Sequence, residues 1–351
     1  MRPVVRYALA AVLAGAACAL PFRLHREASP SRPAPVRVRL LFAGDVMQHM
    51  PQVEAARRGD GFDYSEVFAA LEPRFAAADL VVVNLETTLT RSGRYTGYPC
   101  FRSPAALAGA MRLAGIDAAV MANNHCCDGG AEGVRTTAAE LDACGIRRTG
   151  VFTDSLDRER NNPLLFVRRG VVIALLNYTY STNGMPVPEG VTVNRIDTAA
   201  MAADIAAARA RGAECVAVCI HWGDEYARRE NARQRALARL LRQAGADLIV
   251  GSHPHVIQPF EADSLHAVFY SLGNFVSNQR RRYCDGGLLA EITLTRRPDG
   301  TLRYAAEAVP VWVALPDYRV LPPEAADTLR LPPQYRQFFT DTEELTGRFY
   351  K

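Results

Sequence analysis

Short apolar runs alternate with amphipathic stretches along the chain from residue 36 onward. Continuous apolar runs predict strands covered on both faces, and apolar positions three and four residues apart predict helices. The predicted strands cover residues 38–43, 80–84, 118–121, 171–176, 215–220, 248–251, 267–271 and 288–295. The predicted helices cover residues 65–78, 104–114, 131–143, 198–210 and 231–244. Glycines follow four of these helices, where a C-terminal glycine is expected.

The order of these elements predicts the fold class. Strands that alternate with helices favour an α/β sheet. Residues 288–313 carry strand patterns without intervening helices, so we expect a mixed sheet or a second sheet packed on the first. The chain has 351 residues, of which 49% are hydrophobic, enough for a sizeable core. We predict one domain over residues 37–315 and a short proline-rich C-terminal extension over residues 316–351.

The N-terminal segment has the pattern of an export signal. Arg2 and Arg6 precede a charge-free apolar stretch over residues 7–22, which predicts a signal peptide or a membrane anchor. Cleavage near Ala17, lipidation at Cys18 as a lipoprotein and retention as an anchor all remain open, as does a buried N-terminal helix. Residues 23–36 are rich in proline, serine and arginine and predict a tether. We therefore expect an exported protein of the periplasm or cell envelope, associated with the membrane through its N-terminus.

The charge balance bears on the partners. The formal charge is only +4, from 41 basic and 37 acidic residues, and no basic stripe with interleaved aromatic residues occurs. This pattern argues against nucleic-acid binding. The run Arg280-Arg281-Arg282 is either a solvated loop or part of a site for an anionic substrate.

Carboxylate, carboxamide and imidazole groups follow five of the predicted strands. Ligands of open α/β sheets bind at the carboxyl ends of the strands, so these groups are expected to converge. Four of the seven histidines are among them. The groups are Asp45, Glu86, Asn124, His125, His221, His253 and His255.

This mixture of side chains suits Mn, Fe or Zn as ligands. Six metal-ligand candidates exceed the need of one tetrahedral ion, so we predict two divalent metal ions, roughly 3.5–4 Å apart and bridged by a carboxylate. A turn at Pro254 would bring His253 and His255 to the same pair of ions. Each group also has a structural alternative, such as Asp45 in a turn, Asn124 as a helix cap, or histidines satisfied in the core.

Six short motifs occur in a characteristic order. They resemble the poly-gamma-glutamate capsule synthesis family of the CapA type, which is similar to the calcineurin-like metallophosphoesterases. This resemblance implies a four-layer α/β/β/α sandwich of two mixed sheets flanked by helices. The motifs are Gly44-Asp45, Asn84-Leu85-Glu86, Ala122-Asn123-Asn124-His125, His221-Trp222-Gly223, Gly251-Ser252-His253-Pro254-His255 and Ser271-Leu272-Gly273-Asn274-Phe275.

The resemblance also implies a role for each ligand candidate. Asp45 and His255 would hold the first metal, and Glu86 would bridge the two metals. The second metal would be held by Asn124, His221 and His253.

His125 matches the superfamily histidine that acts as a general acid, and Asp128 either orients it or caps the next helix. The chain departs from the superfamily's Asp-x-His motif because Met47 stands where the histidine is expected. His49 or Gln48 would have to replace that ligand.

Three functions remain open at this point. The first is a phosphoesterase-like hydrolase, with Asn84, Arg102, Tyr178 and Tyr180 lining the approach of an anionic substrate and Glu225 orienting His221. The second is a non-catalytic, membrane-tethered component of polyglutamate capsule synthesis or export, acting with other capsule-synthesis proteins. The third is a hydrolase of gamma-glutamyl amide bonds in the polymer.

Overall fold

The computed structural model describes residues 34–327 and 329–347. The predicted signal or anchor at residues 1–22, and all but the end of the predicted tether, lie outside the described residues. Within them, no helix combines the length and the apolar character needed to cross a membrane.

The strands and helices of the described ranges follow in chain order. The strands are β1 (Val36–Val46), β2 (Arg57–Arg58), β3 (Gly61–Phe62), β4 (Leu80–Leu85), β5 (Thr88–Thr90), β6 (Arg102–Pro104), β7 (Ala118–Val120), β8 (Arg147–Thr149), β9 (Val151–Phe152), β10 (Leu164–Arg168), β11 (Val171–Thr179), β12 (Thr192–Val193), β13 (Cys215–His221), β14 (Leu248–Ser252), β15 (Phe260–Ala262), β16 (Ala267–Phe269), β17 (Asn274–Val276), β18 (Gly286–Arg296), β19 (Leu302–Ala314) and β20 (Arg319–Leu321). The helices are α1 (Met50–Ala55), α2 (Ser65–Phe68), α3 (Glu72–Ala77), α4 (Ala106–Leu113), α5 (Gly130–Ala143), α6 (Ser155–Asn161), α7 (Thr198–Ala210), α8 (Ala232–Ala244) and α9 (Pro333–Thr346), with 3₁₀ turns at Ala69–Leu71 and Pro323–Asp327.

Two mixed sheets form the centre of the fold. In the larger sheet the order is β20-β19-β18-β1-β4-β7-β8, and β17 also pairs with β1. Strands β1, β4, β7 and β8 run parallel, whereas β18, β19 and β20 continue the sheet in antiparallel pairs. The smaller sheet has the order β10-β11-β13-β14-β16-β15, with parallel pairs in the middle and antiparallel pairs at both edges.

The alternation of side chains along each strand divides the core into three layers. On β1, Leu40 and Phe42 point into a cluster between the two sheets, which also contains Ile173 of β11. Leu41 of the same strand points the other way, into a cluster with the helices α4 and α5. A third cluster packs the smaller sheet against α7 and α8. The predicted four-layer α/β/β/α sandwich is thus confirmed.

All eight predicted strands are present, and four of the five predicted helices appear as single helices. The stretch at residues 65–78 is divided into α2, a 3₁₀ turn and α3. Pro73 lies in the first turn of α3, where a proline is tolerated. Because proline has no backbone N–H, it cannot make the hydrogen bond that would join α3 to a helix over the preceding residues. The prediction of one continuous helix was therefore wrong.

The predicted C-terminal extension continues the fold beyond residue 315. Strand β20 pairs with β19 at the edge of the larger sheet. Helix α9 places Tyr335, Phe338 and Phe339 in the core cluster between the sheets. Burying three aromatic side chains removes a large apolar area from water, so this segment stabilises the same packed unit as the rest of the described chain.

Candidate metal centre

A close approach of two backbone segments sets the position of Asp45. The register of β1 against β4 is irregular at Gly44, and a Cβ there would overlap the carbonyl oxygen of Gly273. Only glycine permits this approach. The backbone N–H of Asp45 then donates to Gly273 O at 3.0 Å, and Asp45 lies opposite Asn84 on the neighbouring strand.

Asn84 holds the two buried carboxylates of the site. Its Nδ2 donates to Asp45 Oδ1 at 2.8 Å and to Glu86 Oε2 at 3.2 Å, and its Oδ1 accepts from Asn123 Nδ2. Asn84 is 3% exposed, so its amide is engaged by protein groups. Asn84 thus positions the acidic side chains, and its predicted role in substrate binding stays a prediction.

Glu86 is fully buried and its second oxygen is unsatisfied. Glu86 Oε1 has no hydrogen-bond partner among the described residues, although it lies 3.6 Å from His221 Nε2 and 3.8 Å from His255 Nε2. Burial and the nearby Asp45 raise the pKa of Glu86 well above its usual range. A cation between these groups would satisfy the orphaned oxygen and favour the ionised carboxylate.

His221, at the end of β13, has both ring nitrogens occupied. Its Nδ1 is 2.9 Å from Ser252 Oγ and its Nε2 is 3.0 Å from Asn124 Oδ1. Burial and the neighbouring His253 lower the pKa of His221 well below its usual value. The imidazole is therefore neutral near pH 7, which is the form that binds metals.

A tight turn aims His253 and His255 at the same place. Both residues have left-handed backbone conformations, with φ of 98° and 58°, which is uncommon for residues other than glycine and clusters at functional sites. His255 Nδ1 is 3.1 Å from Asp45 Oδ2. His253 Nδ1 is buried without a partner among the described residues, and burial and His255 lower the pKa of His253 to about 3.

Among the described residues, three overlapping groups have ligand atoms within 4.8 Å of one another. One contains Asp45, Glu86 and His255, and another contains Glu86, His221 and His253. Glu86 is common to both, as expected of a bridging ligand. Neutral imidazoles, buried carboxylates and the orphaned Glu86 Oε1 and His253 Nδ1 fit divalent metal ions. The third group joins Glu225 to His253 and His255.

His125 lies beside this cluster and is held by Asp128. Its Nδ1 is 2.7 Å from Asp128 Oδ2, and both side chains are buried. Asp128 Oδ2 also accepts the backbone N–H of Phe101 at 2.6 Å, and the Phe101 ring packs edge-on against the imidazole at 4.7 Å. The carboxylate therefore fixes the ring orientation through Nδ1.

The structure places the predicted substrate-lining residues in different environments. Tyr180 is 43% exposed and packs its ring on His253 at 4.6 Å, so it lies at the mouth of the site. Tyr178 is buried in the core next to α7, and its hydroxyl donates to Asp204, so it is not part of the mouth. Arg102 is half-buried, and its backbone N–H and C=O are both hydrogen-bonded to the backbone of Thr96.

Glu225 is exposed and lies against His253 and His255. The orientation of His221 that was predicted for it is instead provided by Ser252.

Three residues stand at or near the position of the missing histidine, and their side chains have different surroundings. Met47 is buried, and its Sδ accepts from Ser277 Oγ at 3.8 Å. His49 Nδ1 is 3.2 Å from Gln52 Oε1, and burial lowers the pKa of His49 to about 4. Gln48 lines a separate cavity of about 170 Å³ with Tyr64, and its buried Oε1 has no hydrogen-bond partner among the described residues.

The arginine run also divides by contact. Arg282 pairs with Asp341 at 2.9 Å, and Arg280 donates to the carbonyl of Val313. Arg281 lies 4.6 Å over the ring of Tyr226, whose ring centroid is 6.2 Å from that of His255. The ring of Tyr226 thus lies between the guanidinium of Arg281 and the metal-ligand cluster.

Two orienting residues were missed from the sequence. Asn123 Oδ1 accepts the backbone N–H of His125, and its Nδ2 donates to Leu85 O, which ties the two strand ends together. Ser252 fixes the His221 ring. Both stand directly beside predicted ligands, and that adjacency was the available signal.

The sandwich and its rim of ligands define a protein with the calcineurin-like metallophosphoesterase fold. A crystal structure described as a novel phosphatase from Mycoplasma pneumoniae superposes with a TM-score of 0.50 at 16% identity, over 80% of this chain and 95% of that one. The NAD nucleotidase of Haemophilus influenzae gives 0.52 at 15% identity, over 89% of this chain and 63% of that one. At these identities the likeness establishes the fold alone.

Residues 39–279 match the family described as bacterial capsule synthesis protein PGA_cap, and the chain belongs to that family. The PGA biosynthesis protein CapA of Bacillus subtilis is 30% identical over 78% of this chain and 72% of its own length. The capsule biosynthesis protein CapA of Bacillus anthracis is 33% identical over 48% of this chain and 42% of its own length. The resemblance drawn from the ordered motifs is thus confirmed.

Proposed function

We propose that this protein is a metal-dependent hydrolase of the phosphoesterase type that uses two divalent ions and acts on an anionic substrate. The observation that supports the proposal is the convergence of three buried histidines and two buried carboxylates on one point, with Glu86 shared by both metal-ligand groups. Asp45, Glu86 and His255 would hold one ion. Glu86, Asn124, His221 and His253 would hold the other.

Divalent ions in such a centre lower the pKa of a coordinated water and polarise the bond under attack. The protein's own groups supply the remaining chemistry. Asn84 keeps the two carboxylates in place, and Ser252 keeps His221 in place. His125, held through Nδ1 by Asp128, would donate a proton from Nε2 to the leaving group.

The proposed substrate is anionic, and its class is suggested by the rim of the site. Arg281, stacked on Tyr226 beside His255, would attract a phosphate or a carboxylate. The names of the relatives associate them with PGA biosynthesis, capsule biosynthesis and polyglutamine synthesis. An envelope location reached through the N-terminal segment is part of the proposal and rests on the sequence pattern of residues 1–22.

The test is turnover of phosphodiester and phosphomonoester substrates by the full chain with added Mn²⁺. His125→Ala should retain bound metal and lose about 10²- to 10⁴-fold in rate, because it removes only the proton donor. Glu86→Ala should lower the metal content, because it removes the shared ligand. His266→Ala, at a partly buried histidine beside Asp263, serves as the matched control. Equal rates for wild type and His125→Ala would overturn the assignment.

A second candidate is a non-catalytic metal-binding component that holds polyglutamate carboxylates. The names of the relatives and the methionine at position 47 favour it. Binding of polyglutamate to the wild type that is lost in Glu86→Ala, with no turnover of any ester, would support this function. Release of free glutamate from the polymer would instead indicate amide hydrolysis.

A further inference from the structure

The two metal-ligand groups are unequal. Glu86, His221 and His253 are joined by the amide oxygen of Asn124, which lies 3.0 Å from His221 Nε2, so a second ion would have four protein ligands there. Asp45, Glu86 and His255 supply only three ligands to the first ion.

Met47, close in sequence to Asp45, does not complete the first group. Its thioether sulfur is engaged by Ser277, and thioethers are soft ligands that suit Cu(I) better than Mn or Zn.

Glu225 lies against one histidine from each of the two metal-ligand groups. One of its carboxylate oxygens is within 4.8 Å of a ring nitrogen of His253 and of a ring nitrogen of His255. Metal–ligand bonds of roughly 2.0–2.2 Å place neighbouring ligand atoms about 3–4 Å apart. An exposed side chain needs only a small rotation to close that difference.

The backbone around Glu225 is fixed against the same two histidines. The N–H of Tyr226 donates to Pro254 O at 2.8 Å, between His253 and His255, and Tyr226 adopts a left-handed conformation with φ of 67°. The next residue is also anchored, because Ala227 O accepts from Gln258 Nε2 at 2.8 Å. These contacts hold the glutamate at the rim of the cluster and distinguish it from a freely solvated surface charge.

We propose that the Glu225 carboxylate is an additional ligand of the metal ion held by Asp45, Glu86 and His255. This inference rests on the proposed two-metal centre. Three carboxylates against two divalent cations leave one net positive charge at the centre, which favours binding of an anionic substrate. Because carboxylate oxygens suit Mn²⁺ better than they suit Zn²⁺, the same ligand favours Mn²⁺ at the first position.

The experiment measures metal binding directly. The full chain is stripped with a chelator and titrated with Mn²⁺, and the ions bound per chain are counted by plasma mass spectrometry and by electron paramagnetic resonance. Glu225→Gln removes the charge and keeps the shape. Asp224→Asn is the matched control, because Asp224 is the adjacent exposed carboxylate and accepts from Asn231 Nδ2 at 2.7 Å.

Wild type and Asp224→Asn are expected to bind two ions. Glu225→Gln is expected to retain one ion tightly and to bind the other at least about tenfold more weakly, and the retained ion shows that the variant is folded. Two ions bound with wild-type affinity by Glu225→Gln would overturn the inference and leave the two-metal centre intact. Equal weakening in Asp224→Asn would assign the effect to charge and also overturn it. A wild type that binds no metal would overturn the proposed function as well.

Discussion

Asn84 offers a sharp test of how the carboxylates of the site are positioned. Replacing Asn84 with alanine removes the hydrogen-bond donor shared by Asp45 and Glu86 and leaves every predicted metal ligand in the sequence. All three residues are buried, so the two carboxylates lose their common hydrogen-bond donor away from bulk water.

The expected magnitude follows from these contacts. Leaving a buried acceptor without its hydrogen-bond donor costs roughly 1–3 kcal/mol, so the metal-free variant, with two such acceptors, should be less stable by about 3 kcal/mol, somewhat less if water enters the space. Loss of a group that orients metal ligands weakens metal binding by roughly 10- to 100-fold. A tenfold loss equals about 1.4 kcal/mol of metal-linked stability at a fixed metal concentration.

Two measurements check this expectation: urea unfolding of the metal-free chain and calorimetric titration with Mn²⁺. Asn194→Ala is the matched control, because Asn194 is also buried and its Nδ2 makes two hydrogen bonds, to Asn162 and Asn177. The control should lose stability and keep its metal affinity. Unchanged metal affinity in Asn84→Ala would refute the positioning role.

Three further predictions follow from single contacts. Asp128→Asn should keep the metal and lower turnover, because the amide does not hold the Nδ1–H form of His125 as a carboxylate does; a rate equal to wild type would contradict this. The pKa of His49 is about 4 in the folded chain and about 6.5 in the unfolded chain. Between these two pH values the unfolded chain binds a proton at His49 and the folded chain does not. The free energy of unfolding therefore falls by about 3 kcal/mol as the pH is lowered to 4. Urea unfolding of metal-free His49→Gln should show a correspondingly flatter decline, and parallel curves would count against it. Phe338→Ala should cost roughly 3–5 kcal/mol in urea unfolding, whereas Leu315→Ala, 53% exposed, should cost little; equal losses would refute the packing of α9.

The strands and the convergence of the polar groups at one edge were largely predictable. Continuous apolar runs identified the strands because both faces of each central strand are covered. Parallel strands end at a common edge, so the groups after β1, β4, β7, β13 and β14 were expected to meet. The division of the helix at Pro73 and the continuation of the core through α9 were not predicted, because proline-containing and mixed patterns are compatible with several local structures.

The sequence by itself determined the strands, their alternation with helices and the set of groups that converge, since these depend on local periodicity and on the direction of strands. The four-layer sandwich was implied by the resemblance of the ordered motifs to a known family. The tertiary structure decided which side chains each of these groups contacts. Asn84 proved to hold carboxylates, Tyr178 lies in the core, and Glu225 lies beside His253 and His255. These roles depend on distances of a few ångströms between segments far apart in the chain, such as the contact of Tyr226 with Pro254, which packing fixes and local sequence does not encode.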